Sequence, residues 1–250
     1  LVDWFKKVGV LAAAGILALG LNATALLATS EYAAFSTRGT SELTLSATAE
    51  PVEIRSGLSY AYITQFSYGI FESLNLIAPR IQGGGSREDL GTSSEIYEYL
   101  IKQGASRQQA KGFSQNVPTY WGDQPILEAP AYVGVVVVFL AFLALFLGWN
   151  TNKRWLFFGI LLSLTLSWGK NFSFLTQFFI DYVPLYSKFR AVSSIQVLLE
   201  LAFPVLASLG LYEFFNASKE VQIQALKKTI FSFLGLGIAL FLVKGMLSFE

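Results

Sequence analysis

Residues 131–168 read AYVGVVVVFLAFLALFLGWNTNKRWLFFGILLSLTLSW. The first 19 of them, 131–149, carry no charge; Lys153 and Arg154 interrupt, and 155–168 adds 14 more uncharged residues. A hydrocarbon core about 30 Å thick takes roughly 20 apolar residues at 1.5 Å each. The first run therefore predicts a membrane-spanning helix. The second predicts a shorter one that snorkels its flanking Lys and Arg or extends into an interface.

Three further runs lie outward from this stretch. Residues 8–28 hold 21 residues without a charge, and 229–243 hold 15. Residues 191–215 are long enough to span but carry Glu200 near the centre and Pro204 one turn later. The expected fold is an all-α polytopic membrane protein of about five transmembrane helices. Residues 1–28 hold the first, 29–130 a mixed, partly helical extracytoplasmic segment, and 131–250 helices 2 to 5 with an aromatic, basic outer loop at 169–190.

Composition agrees, since 53% of the 250 residues are hydrophobic and 14% charged, where a soluble domain has about a quarter charged. The mean hydropathy of +0.50 calls for a nonaqueous home for the apolar surplus. With no Cys and no His, the chain forms no disulfide, no Cys/His zinc site, no thiol nucleophile and no Ser-His-Asp triad. A net charge of +1 suggests no nucleic-acid partner. The chain starts at Leu1 and its one methionine is Met246, so it reads as a piece of a longer protein.

Lys6 and Lys7 precede the first run, Lys153 and Arg154 separate the second and third, and Lys219, Lys227 and Lys228 lie between the fourth and fifth. All fall on one side, and the excess of cations on cytoplasmic loops makes that side cytoplasmic. The N-terminus is then inside, and 29–130 and 169–190 are outside. The first 28 residues also fit a signal peptide, two lysines before an apolar run; the length of the run favours an internal span.

The outer segment is net acidic, with 11 acids and 7 bases. Pro51 and the run Gly83-Gly84-Gly85 break it, and the glycines read as a flexible turn because no Gly-Lys-Ser/Thr follows. Short helices are expected at 94–103 and 106–111. Glu31 and Arg38, just after the first run, pair a carboxylate with a guanidinium at the outer mouth, a general base and a phosphate clamp or simply solvated charges. Asp123, in YWGDQP beside Tyr120 and Trp121, has the company of a sugar site and equally of an aromatic belt. No Asp-x-Asp motif occurs, Glu88-Asp89 is too little for a metal site, and the reading calls for no cofactor.

In 169–190, Lys170, Lys188 and Arg190 are cations on the face that should be poor in them, interleaved with Phe172, Phe174, Phe178, Phe179, Tyr182, Tyr186 and Phe189. Such a loop suits the headgroup layer, its cations meeting the phosphate of an amphiphile or those of the bilayer. Ten residues past Arg190, or about 15 Å along an ideal helix, Glu200 is expected near the midplane. Burial there costs about 2.5 to 3.5 kcal/mol unless the group is partnered, wet or protonated. Ser193, Gln196 and Glu200 form one polar stripe that should face inward, as the wall of a wet cavity, a proton site, or an interhelical bond.

The stretch SWGKNFSFLTQFFIDYVPLYSKFRAVSSIQVLLEL, with STRGTSELT and YWGDQP upstream, resembles the YfhO-family bacterial membrane proteins in the form common among Bacteroidetes. That family is similar to the GT-C multi-span glycosyltransferases. The resemblance implies the bacterial cytoplasmic membrane, a polyprenyl-phosphate sugar donor, a cell-envelope glycan acceptor, and a donor phosphate held by Lys170, Lys188 and Arg190. GT-C enzymes usually keep their catalytic acid in the first outer loop of a protein of eight or more spans, so no catalytic residue is carried over. The alternatives are a transporter or flippase for a lipid-linked or anionic solute, with Glu200 as proton site, and a noncatalytic envelope-assembly protein.

Overall fold

A computed structural model describes residues 2–36, 38–39 and 57–246, and only the backbone of 2 and 243–246. Pro51 and most of STRGTSELT lie outside the described residues. The chain divides into two units, Leu1–Ile63 with Val183–Arg190, and Thr64–Tyr182 with Ala191–Glu250.

The first unit holds α1 (Val2–Leu21), α2 (Ala23–Ala34) and the single turn α3 (Tyr60–Ile63). Asn22 separates α1 from α2, yet its N–H donates to Ala18 O and its carbonyl accepts from Leu26 N, so helical bonding carries across. Its side-chain Nδ2 also donates to Ala18 O, at 2.9 Å.

The second unit contains α4 (Glu95–Lys102), α5 (Arg107–Ser114), α6 (Val135–Phe146), α7 (Thr151–Ser167), α8 (Ser173–Tyr182), α9 (Gln196–Asn216) and α10 (Lys219–Met246). The short helices α4 and α5 lie where expected, because Ser94 and Ser106 cap them and Gln109 closes a capping box. Among the described residues there is no strand, only an isolated antiparallel bridge between Glu88 and Val117. Even the run Val135–Val138 is helical; in an apolar setting a helix satisfies its own backbone, which outweighs the β preference of valine.

Helix α9 packs between α6 and α7, and α10 lies against α6. The core joins Ala141 and Ala144 of α6, Ile160 of α7, and Leu199, Ala202 and Leu206 of α9 to Leu76 from the segment before α4. Small residues let α6 and α9 approach closely. A Cβ placed on Gly210 would stand 2.7 Å from Ala144 Cβ and 2.9 Å from Leu140 O, so glycine is required by contact there. Phe233 of α10 meets Phe139 and Phe142 edge-on, with centroids 5.1 and 5.5 Å away.

Lys153 is a structural residue. Its side chain is 0% exposed, and Nζ donates to Ala144 O (2.7 Å), to Gly148 O (3.0 Å) and to Glu213 Oε2. The ammonium thus holds carbonyls at the end of α6 and the carboxylate of α9. Asn150 caps α7, accepting from Lys153 N at 3.0 Å, while its Nδ2 donates to Glu213 Oε1 at 2.9 Å.

Among the described residues three helical stretches are long and apolar enough to cross a membrane: Asp3–Leu21, Val192–Asn216 and Lys219–Leu242. They fall on the expected first, fourth and fifth runs, and the chain is compatible with a helical membrane protein. The apolar helix Val135–Phe146 has 12 residues and Thr151–Ser167 has 17. The connection before the last span is shorter than expected. Only Ala217 and Ser218 separate α9 from α10, because no breaker follows Ser218, so Lys227 and Lys228 sit on the helix.

Replacing Lys153 by Ala removes one of the two partners of the partly exposed Glu213 carboxylate and the donor to two carbonyls, and should lower stability by about 1–3 kcal/mol. Denaturation in detergent checks this. The paired replacement Lys153→Met with Glu213→Leu should recover part of the loss, because it also removes the carboxylate left without its ammonium.

Candidate functional site

Two polar clusters stand out, one in each unit. In the first unit, Arg38 and Lys188 are 150 residues apart in sequence and bind reciprocally. Arg38 Nε donates to Lys188 O at 2.9 Å, and Lys188 Nζ donates to Arg38 O at 2.7 Å. The 3-10 turn Tyr186–Lys188 is further tied by Leu58 N, which donates to Ser187 O. Arg190 lies over the Tyr62 ring, 4.5 Å from its centroid, and its Nη1 donates to Tyr62 Oη at 3.0 Å. Three cations singled out in the sequence thus share one unit, two of them backbone-locked and the third stacked. Glu31 is exposed on α2. Lys170 belongs to the second unit, exposed on the 3-10 turn Gly169–Phe172, where its backbone N–H donates to Ser67 Oγ.

The second unit builds an acidic, aromatic cluster around Glu72, whose side chain is buried although its residue is the lone charge between Arg55 and Arg80. Gly69 N (2.9 Å), Tyr120 Oη (2.7 Å) and Gln124 Nε2 (3.2 Å) all donate to its carboxylate. Asp123 lies beside it, since Asp123 Oδ2 and Glu72 Oε2 are both within 3.3 Å of the place a Cβ on Gly69 would occupy. Asp123 is exposed, and Asn171 Nδ2 fixes it with a 2.9 Å bond while also reaching Tyr68 O. Trp168 Nε1 donates to Ser73 Oγ, securing the same segment from the end of α7. Tyr68 Oη and Asn75 Nδ2 are buried without a hydrogen-bond partner.

The polar stripe expected on the fourth run divides in two. Gln196 is buried and donates to Ser167 Oγ at 3.2 Å, an interhelical bond, but the Glu200 side chain is exposed on α9. The path from Arg190 to Glu200 differs from one ideal helix. Ala191 takes a left-handed φ of 65° and the 3-10 turn Val192–Ile195 follows, so Arg190 and Glu200 are not on one continuous helix. Glu200 is the fifth residue of α9, in the first half of the span.

The glycine run is packed rather than loose. Gly84 and Gly85 are buried, and a Cβ on Gly84 would crowd Glu88, Thr119 and Arg80. Arg80 grips Glu88 through both nitrogens at 2.6 and 2.8 Å, and Thr119 Oγ1 donates to the same carboxylate. These donors hold the Glu88 carboxyl below its ordinary range. Among the described residues no three His, Cys, Asp or Glu side chains are grouped to hold a metal ion.

Sequence reading passed over Glu72, Tyr68, Asn75, Asn171 and Tyr62. For Glu72 a signal was present, a solitary carboxylate in a long uncharged stretch. Compared with family models, curated proteins and solved structures, the chain matches none.

Burial, and then the Glu72 carboxylate, push the Tyr68 and Tyr120 phenols well above their ordinary value of 10.0. The folded-state pKa exceeds the unfolded one, so the stability these hydroxyls contribute is intact below pH 10 and lost as pH rises above it. Absorbance titration should show phenol ionisation extending above the free-tyrosine range, with the high-pH part reduced in Tyr120→Phe.

Proposed function

We propose that the chain is part of a membrane-embedded, inverting glycosyltransferase, acting outside the bacterial cytoplasmic membrane on a polyprenyl-phosphate sugar and a cell-envelope glycan acceptor. The observation that carries this reading is the assembly of Arg38, Lys188 and Arg190 in one unit, with Lys188 and Arg38 bonded reciprocally and Arg190 stacked on Tyr62. Guanidinium and ammonium groups held in place suit a phosphate oxyanion, and the resemblance to YfhO-family proteins supplies the donor. In this reading α6 and α7 complete a five-span unit as a hairpin against α9, with Trp149, Trp155 and Trp168 at their ends in the interfaces and the N-terminus in the cytoplasm.

The reaction needs a carboxylate to take the proton of the acceptor hydroxyl while its oxygen bonds to the anomeric carbon. The bond from that carbon to the donor phosphate breaks through an oxocarbenium-like state, and polyprenyl phosphate leaves. The cations stabilise the charge that gathers on the leaving phosphate. No residue is assigned as the base. Asp123 is exposed and oriented by Asn171, whereas the Glu72 carboxylate is already occupied by three donors.

Replacing Lys188 and Arg190 together by Ala in the full-length protein should abolish sugar transfer from the polyprenyl-phosphate donor while membrane expression persists. Unchanged transfer overturns the proposal. The exposed carboxylate of Glu200 on a membrane-length helix favours the transport reading, and proteoliposome uptake that vanishes in Glu200→Gln would decide for it.

A further inference from the structure

Helix α8 has 10 residues and a length of about 15 Å, half of what a bilayer crossing needs. Its side chains fall into a buried group and two adjoining exposed groups. Thr176 turns inward, fully buried, with Oγ1 donating to Gly169 O at 2.9 Å. Gln177 and Asp181 form an exposed polar pair, Nε2 donating to Oδ1 at 2.8 Å. Phe174, Phe178 and Tyr182, spaced four residues apart, form an aromatic stripe that is 80%, 50% and 74% exposed. Phe178 and Tyr182 lie 5.0 Å apart between centroids, so the stripe is continuous.

We infer that α8 is an interfacial helix, lying in the plane of the bilayer surface with this stripe set among the upper acyl chains and the pair Gln177 and Asp181 on its flank at headgroup level. The occupant of the face is lipid for three reasons. Three membrane-length apolar helices lie among the described residues, two of them in the unit that contains α8. Helix α8 is joined to the end of α7 through one 3-10 turn, which keeps it at a helix end where an interface falls. Lys170 is exposed on that turn, suited to headgroup phosphate, and phenyl and phenol rings are the side chains that favour the headgroup boundary. The inference does not depend on the glycosyltransferase reading. A protein with no transferase activity would hold α8 in the same way.

The chain has no cysteine, so single cysteines carry a spin label without further engineering. Labels at 174, 177, 178, 181 and 182 are read in nanodiscs of phosphatidylethanolamine and phosphatidylglycerol by collision with oxygen and with a water-soluble nickel chelate. The depth parameter should be positive at 174, 178 and 182, highest at 178 and 182, and lowest at 177, with 181 close to 174 because the two are seven residues apart and share a helix face. A negative value on the aromatic stripe, or labels there shielded from both reagents as beneath another protein surface, overturns the inference. Hydroxyl-radical footprinting of the unsubstituted chain reads the same face without mutation. Phe174 and Phe178 should be slow to oxidise in nanodiscs despite their exposure, and rapid oxidation overturns the inference as well.

Discussion

The helical core of the second unit depends on one buried ammonium. Lys153 sits where α6 ends and α7 begins, and its three protons go to two carbonyls at the end of α6 and to the Glu213 carboxylate of α9. A charge in that position is costly without partners and tolerable with all of them. The end of α6, the start of α7 and the last turn of α9 are thereby fixed to one another. The close approach of α6 and α9 at Ala144 and Gly210 lies on the same two helices, so ion pair and small-residue contact reinforce a single packing arrangement.

At the other end of α7 and α9 the constraint is a mesh of hydrogen bonds. Tyr68 N donates to Ser167 O, Ser193 N to Phe66 O, Gln196 Nε2 to Ser167 Oγ, and Ser163 Oγ to Ile195 O. Leu76 enters the helical core from the same segment. The polar segment from Thr64 onward is thus bonded to the helix ends and not draped over them. That anchoring permits Glu72 to be buried, since Gly69, Tyr120 and Gln124 are held where they can donate to it.

The pattern of exposed apolar side chains completes the physical account. Leu198, Leu201 and Val205 of α9 and Phe231, Leu234 and Ile238 of α10 face outward, while alanines, glycine and a few leucines form the contacts inside. A water-soluble bundle places its large side chains the other way round. Lipid as the outer solvent explains the inversion, because apolar surface facing acyl chains carries no hydration cost.

Apolar run length and the absence of charge predicted five spans, three of which are helices of membrane length among the described residues, and the residue pattern marked α4 and α5. Sequence also named Lys170, Lys188 and Arg190, because cations among aromatic residues are conspicuous in a chain with few charges, and Arg38 for its place near Glu31 after the first run. It had no means of showing that Arg38 and Lys188 bind each other across 150 residues, that Lys153 is an internal clamp, or that Glu200 is exposed while Gln196 is buried. Those were decided by tertiary structure, for one physical reason. A run of residues reports the solvent an element prefers, but the partner of a polar group is chosen by whichever distant backbone or side chain the packing brings within 3 Å.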